Sequence, residues 1–254
     1  MSRQDWRLII QPDGRPGAEN MALDHSLLRA AREGVSFLRL YRWNPPCLSF
    51  GRNEPALTRY DTKAIERLGL STVRRPTGGR AVWHEAEVTY AVAGPSDLFG
   101  SLREAYIRIH EVLAAALRAL GMEPELAART SGRALGPGSG ACFAAPVGGE
   151  VVVRGRKLVG SAQVREGGAF LQHGSILLDD GQNVVAEVTR GTGAAPQATS
   201  ISAVLGRSVA FEEVADAVAS EARRVWDGAW QRSELEPRPG EVELFEDPEW
   251  TWRR

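Results

Sequence analysis

Glu150 to Asp179, EVVVRGRKLVGSAQVREGGAFLQHGSILLD, reads as consecutive β-strands joined by tight turns. One lysine, Lys157, stands in it between apolar residues. Gly155-Arg156-Lys157 resembles a two-residue hairpin turn, which ordinarily leaves its lysine in solvent. Leu158 to Ala162, small and apolar, are suited instead to line a narrow pocket that holds a lysine head. Phe170 to Leu178 follows as a strand with polar atoms at its centre, where His173 before Gly174 either faces a ligand or caps a bulge. Upstream, Cys142 lies in Gly138-Ser139-Gly140-Ala141-Cys142-Phe143, a small-residue loop in which a site can be exposed.

Working outward, Trp6 to Ile10 can start a sheet, and Pro12-Asp13-Gly14 is a turn signal. Glu19 to Glu33 reads as a helix with Met21, Leu23, Leu27, Leu28 and Ala31 on one broad face, ended by Gly34. Phe37 to Trp43 alternates apolar and charged residues, so it reads as a half-buried strand. Cys47 to Gly51 reads as a second strand paired with it. Asp61 to Leu68 is helical. Ser71 to Arg75, Ala81 to His84 and Glu87 to Val92 read as strands. Tyr106, Ile109, Leu113, Leu117 and Leu120 repeat at three or four residues and make Leu102 to Leu120 the strongest helix. Ala128 to Pro146 and Gly191 to Ser200 are loops, and Phe211 to Trp230 is an amphipathic helix before a polar tail. Strands in runs with helices between them argue for an α+β fold.

Composition narrows the function classes. The 254 residues are 43% hydrophobic and 25% charged, as in an ordinary globular enzyme. A net charge of −1 gives no bulk electrostatic reason to expect nucleic acid or membrane as a partner. Two cysteines make no disulfide framework, and the expectation is free thiols in a reducing cytoplasm. His25, His84, His110 and His173 have no metal-ligand spacing. No signal peptide is read at the N-terminus, and no apolar run approaches the roughly 18 residues of a spanning helix.

Two features point to chemistry. In Arg74-Arg75-Pro76-Thr77-Gly78-Gly79-Arg80, paired glycines after a strand let backbone N–H groups approach a ligand, and the arginines can pair with a phosphate or carboxylate. The competing reading is a plain hairpin with solvated arginines. Cys142 is either a small buried hydrophobe or a nucleophile. A thiol has an ordinary pKa of about 8.5, so nucleophilicity requires a nearby cation or base.

RRPTGGRAVWHEAEVTYAV (Arg74 to Val92), SGACF (Ser139 to Phe143), GRKLVGSAQVREGGAFLQHGSILL (Gly155 to Leu178) and ATSISAVLGRSV (Ala198 to Val209) together resemble the biotin/lipoate protein ligase superfamily. ENMALDHSLL and LRLYRWNPPCLSFGRN (Leu38 to Asn53) support the match, which runs in order over nearly the whole chain. Within the superfamily the set is most similar to the LipM-type octanoyltransferases. The resemblance implies an α+β fold, a mixed β-sheet with flanking helices around an acyl tunnel. It implies one catalytic domain over residues 1–254, with a short C-terminal helix and tail from around Arg207. It implies that Cys142 carries the acyl group as a thioester and that Lys157 lowers the thiol's pKa and assists proton transfer. Arg75, Gly78, Gly79, Arg80, His84, Gly160, Ser161, Ala162, Gln163, His173 and Gly174 are then expected to bind substrate, with the Gly78-Gly79 and Cys142 loops as candidate oxyanion donors. The implied donor is octanoyl-acyl carrier protein. The implied acceptor is a lysine of a 2-oxoacid dehydrogenase lipoyl domain or of the glycine-cleavage H protein. Neither ATP nor a metal is expected. An ATP-dependent lipoate–protein ligase, an octanoyl amidotransferase between lipoyl domains and a non-catalytic acyl-binding protein are the alternatives.

Overall fold

The computed structural model describes residues 4–128, 148–191 and 197–253. From the N-terminus come β1 (Asp5–Arg15), α1 (Gly17–Ala30), β2 (Ser36–Trp43), β3 (Cys47–Phe50), α2 (Ala56–Arg59) and α3 (Thr62–Arg67). Next are β4 (Ser71–Arg74), β5 (Val82–His84), β6 (Glu87–Pro95), α4 (Leu102–Ala119) and β7 (Glu125–Leu126). After the segment 129–147 follow β8 (Val151–Val153), β9 (Arg156–Lys157), β10 (Val159–Glu166), β11 (Ala169–Leu177) and α5 (Asn183–Val188). The chain closes with α6 (Ile201–Leu205), α7 (Phe211–Val225), β12 (Ala229–Arg232), α8 (Pro239–Glu246) and α9 (Pro248–Trp252).

The main sheet runs β10-β11-β6-β2-β1-β12. It is mixed, as expected: β1 is parallel to β2 and β12, and the remaining pairs are antiparallel. Strand alternation sends β2 into two cores. Leu38 and Leu40 join Leu8, Val88, Val92, Leu113 and Val218 on the side of α4 and α7. Phe37, Tyr41 and Trp43 join Met21, Leu27, Ala91, Leu171 and Phe245 on the side of α1 and α8. The expectation of a half-buried β2 is therefore corrected: both faces are covered. Arg39 tolerates full burial because Asp24 of α1 meets it at 2.8 Å.

A smaller sheet, β4-β3-β5, packs beside the main one against α2, α3 and α5. This corrects the expected pairing of β3 with β2. Asn44-Pro45-Pro46 carries the chain out of the main sheet, and Cys47 to Phe50 pairs with Ser71 to Arg74 and with Val82 to His84. α4 begins in a capping box, Ser101 accepting from Glu104 N while Glu104 accepts from Ser101 N. The C-terminal helix ends at Val225, earlier than its pattern implied, and the tail is built structure. Ala229–Arg232 adds the edge strand β12, and the buried guanidinium of Arg74 donates to Trp250 O, Thr251 O, Gly51 O and Glu54 O, tying α9 to the loop after β3.

No helix among the described residues is long and apolar enough to cross a membrane. Among the same residues, no group of three His, Cys, Asp or Glu could hold a metal ion.

Candidate active site

β6, β11 and β10 put polar residues on both faces of the main sheet at one end. Ser175 lies opposite Thr89 and Gly160, His173 opposite Ala91 and Ala162, and Gly174 opposite Tyr90 and Ser161. A pocket opens there, lined by Met21, Tyr41, Trp43, Ser49, Arg75, Val82, His84, Thr89, Gly160, Ser161, Ala162, His173, Gly174 and Ser175. It encloses about 350 Å³ of space, including its open mouth. It is a narrow slot. Ser161, Ala162 and Gly174 are half-buried at its rim, while Tyr41 and Ser49 are fully buried.

Seven of the expected binding residues thus meet in one place: Arg75, His84, Gly160, Ser161, Ala162, His173 and Gly174. Gly78, Gly79 and Arg80 line a neighbouring cleft with Asn53, Glu54, Pro55 and Arg59. Gln163 does not line the slot. Its amide donates to Leu102 O and Gln172 Oε1 on the α4 side of the sheet. Arg75 lines the slot, but its five N–H donors are all engaged, by Gly78 O, Ser49 O, Ser49 Oγ and Arg80 O. It shapes the glycine turn and gives the wall a positive charge, with no donor left over for a ligand.

Two histidines are fixed by carboxylates, His173 by Asp24 and His84 by Glu87. Asp24 Oδ2 accepts from His173 Nδ1 at 2.7 Å and from Tyr41 Oη at 2.8 Å. Burial alone would raise the Asp24 carboxyl, but the His173 hydrogen bond, the Arg39 charge and the Tyr41 hydroxyl together hold it below its ordinary value. Burial pushes His173 down, more than Asp24 restores, so the ring is neutral. With Nδ1 donating, Nε2 accepts from Thr77 Oγ1 at 2.6 Å. His84 Nδ1 lies 2.7 Å from Glu87 Oε1, and its Nε2 lies 2.7 Å from Ser49 Oγ. Trp43 stacks on the His84 ring at 4.0 Å between centroids. Glu87 Oε1 also accepts from Ser175 and Thr89, whereas Oε2 has no partner among the described residues.

Gly174 is required by the same packing. A β-carbon there would meet Gly160 O, lie 2.7 Å from Ser161 Oγ and lie 2.9 Å from the Tyr90 ring. Gly174→Ala is expected to destabilise the protein by about 1–3 kcal/mol, read by urea denaturation. An unchanged midpoint would show that the three strands can separate there at no cost.

Lys157 corrects the sequence reading in position and environment. The turn is Arg154-Gly155, both left-handed (φ 52° and 72°), between Val153 and Arg156. Lys157 lies past the turn, paired with Val152, and is 1% exposed. Its Nζ meets Glu150 Oε1 at 2.7 Å, an acceptor that Tyr106 also approaches. Leu158 is core, so the slot is lined from Gly160 onward. The backbone of Lys157 is held by Gln197 O and Thr199 N.

Cys142 lies outside the described residues, within 129–147. The described chain on either side of that segment meets next to Lys157: Gly149 N donates to Ala127 O at 2.8 Å, and Ala127 N donates to Glu150 O at 2.7 Å. His110 of α4 donates from Nδ1 to Gly149 O at 2.6 Å, and its Nε2 is 2.8 Å from Ser161 Oγ. Sequence reasoning missed His110, although its signal was present: a polar residue at the helical spacing of Tyr106, Ile109, Leu113 and Leu117.

A family model described as lipoyl protein ligase A/B catalytic domain matches residues 16–223. Octanoyltransferase LipM of Moorella thermoacetica is 44% identical over 183 residues, covering 70% of this chain and 67% of that protein. Octanoyltransferase LipM of Symbiobacterium thermophilum is 38% identical over 232 residues, covering 85% and 84%. Among solved structures, lipoate-protein ligase A bound with ATP superposes with a TM-score of 0.80 at 18% identity, covering 98% of this chain and 99% of that one. A putative lipoate protein ligase from T. acidophilum with bound lipoic acid gives 0.78 at 20% identity, covering 98% and 100%. At these identities the superpositions bear on the fold alone.

Proposed function

The chain belongs to the lipoyl protein ligase A/B catalytic domain family, and we propose that it is an octanoyltransferase that works through a Cys142 thioester. The donor in this reading is octanoyl-acyl carrier protein. The acceptor is a lysine of a lipoyl domain, on a 2-oxoacid dehydrogenase or on the glycine-cleavage H protein. One observation supports the choice of Cys142: the described chain on either side of the segment that holds it is hydrogen-bonded together, Ala127 to Gly149 and Glu150, beside the buried Lys157–Glu150 pair. A cation near a thiol favours the thiolate.

The reaction consists of two successive acyl transfers. The Cys142 sulfur attacks the donor's thioester carbonyl, a new C–S bond forms, and the carrier leaves as its free thiol. The acceptor amine then attacks the acyl-enzyme, a C–N bond forms, and the Cys142 sulfur departs. Exchange of a thioester for an amide is downhill, so ATP has no part in it. The slot's apolar wall, Met21, Tyr41, Trp43 and Val82, takes the C8 chain. At about 0.8 kcal/mol per buried CH₂ the chain contributes several kcal/mol of binding. Arg154 and Arg156, both exposed at the turn beside Lys157, and exposed Arg165 offer positive charge to an acidic carrier.

Incubated with octanoyl-acyl carrier protein and no ATP, the protein is expected to gain one octanoyl group by intact mass, and Cys142→Ala none. Modification that requires ATP and the free acid would overturn this reading in favour of a ligase.

A further inference from the structure

The cleft beside the slot combines two kinds of donor for an anion. Arg59 and Arg80 line it, together with Gly78 and Gly79. Its lining carboxylate, Glu54, is turned inward: Oε1 accepts from Tyr60 Oη at 2.5 Å and Oε2 from Gly51 N at 3.2 Å. Two more arginines stand at the edge. Arg52 precedes the lining residue Asn53, and Arg253 donates to Arg52 O at 2.7 Å. Glu166 lies 3.6 Å from Arg52, so four arginines stand against two carboxylates and the balance is positive. The backbone adds to it. Gly79 is left-handed (φ 95°), and among the described residues neither Gly78 N nor Gly79 N finds an acceptor. Successive N–H groups in such a turn form a concavity that suits an anion. A β-carbon at Gly78 would meet nothing within 4 Å, so the space above it is open.

Gly79 is also the partition between cleft and slot. A β-carbon there would lie 2.8 Å from Arg75 Nη2 and 3.8 Å from Ala162 Cβ, and both of those residues line the slot. The two glycines thus form a ledge without side chains, which a thin arm can cross from one side to the other. A carrier protein presents its acyl group on such an arm: the thioester sulfur ends a phosphopantetheine, whose far end is a phosphate ester. We propose that the cleft is the site for the phosphate of the donor's phosphopantetheine arm, an assignment that rests on the octanoyltransferase reading. With the octanoyl chain in the slot, the arm lies over Gly78 and Gly79, and the phosphate accepts from their N–H groups and from Arg59 and Arg80. Arginine suits the task, since its planar fork donates to two phosphate oxygens at once. The site recognises the arm itself, separately from any contact with the carrier's protein surface.

Octanoyl-pantetheine and octanoyl-4′-phosphopantetheine differ only in the phosphate. The ratio of their kcat/KM values for transfer to a lipoyl domain, followed by intact mass, therefore isolates the site. The unsubstituted protein is expected to prefer the phosphorylated donor by about 10–100-fold, the usual worth of hydrogen bonds to a charged group. Arg59→Met and Arg80→Met should each lower that preference by about tenfold. Gly78→Ala adds a methyl that meets no protein atom, so the fold is kept while the cleft is narrowed, and the preference should fall again. An unsubstituted protein that uses both donors alike, or a preference that survives in all three variants because both donors slow equally, would overturn the site. Transfer from octanoyl-acyl carrier protein but from neither small donor would overturn it too, because recognition would then lie in the carrier's protein surface. No transfer from any of the three donors would overturn the octanoyltransferase reading, and the site with it.

Discussion

Lys157→Met is expected to slow acyl-enzyme formation by about 10²–10³-fold, the usual effect of removing one electrostatic stabiliser, and to destabilise the protein by about 3–5 kcal/mol. The two losses have different origins, and a second substitution separates them. Lys157 and Glu150 are 1% and 3% exposed and meet at 2.7 Å. Removing the ammonium leaves a buried carboxylate without its ion-pair partner, which is the costly way to break such a pair. Glu150→Gln in the same molecule removes that charge and keeps an oxygen that can accept from Tyr106 Oη. Lys157→Met/Glu150→Gln should therefore regain most of the stability and none of the activity. Urea denaturation reads the first effect and single-turnover acylation the second. A double variant that regains both would show that Lys157 only holds the β8–β9 hairpin.

The burial of Lys157 illustrates where the sequence stopped being legible. Periodicity identified α1, α4, α7, β2, β6 and β11, because apolar spacing is a local signal. Partners of buried charges are not local. Arg39 is neutralised by Asp24 on the preceding helix, and Arg74 donates to carbonyls 176 and 177 residues further along the chain. Read alone, each looked like a solvated charge. β3 was paired with the wrong strand for a related reason: all four of its residues are buried, so no alternation marks its face, and its partners are Ser71 to Arg74 and Val82 to His84. β12 is parallel to β1 from the far end of the chain, and nothing in Ala229 to Arg232 shows it. The slot was more legible. Arg75, His84, Gly160 to Ala162, His173 and Gly174 fall within two quoted stretches, and adjacent strands bring them together. The residues that orient them, Asp24, Ser49, Glu87 and His110, sit in core segments, where a polar side chain among apolar ones was the available cue.

Asp24→Asn should cost about 3–5 kcal/mol, because it breaks a buried charge pair from one side. Arg39 would keep Gln11 Oε1, Asn20 O and Asn20 Oδ1 as acceptors, but its positive charge would have no anion in the core. The penalty should depend on pH in a determined direction. The Asp24 carboxyl is held below its ordinary value of 3.8, so it contributes stability above that pH and loses the contribution as pH falls through its folded value. The gap between parent and Asp24→Asn should be widest near neutrality and narrow below about pH 4. His110 and His173 act earlier on both proteins: each is held below 6.5 when folded, so the unfolded chain binds their protons first and stability falls as pH drops below 6.5. Urea denaturation at several pH values resolves the two ranges, and a gap that stays constant down to pH 3 would contradict the assignment of charge to Asp24. The same substitution reaches the slot. An amide in place of the carboxylate can present its NH₂ to His173 Nδ1, and a neutral ring that accepts there must donate from Nε2 to Thr77. His173 and Tyr41 line the slot from the Asp24 side, so the turnover of folded Asp24→Asn should fall as well, through a weaker grip on the acyl chain rather than through the reacting sulfur.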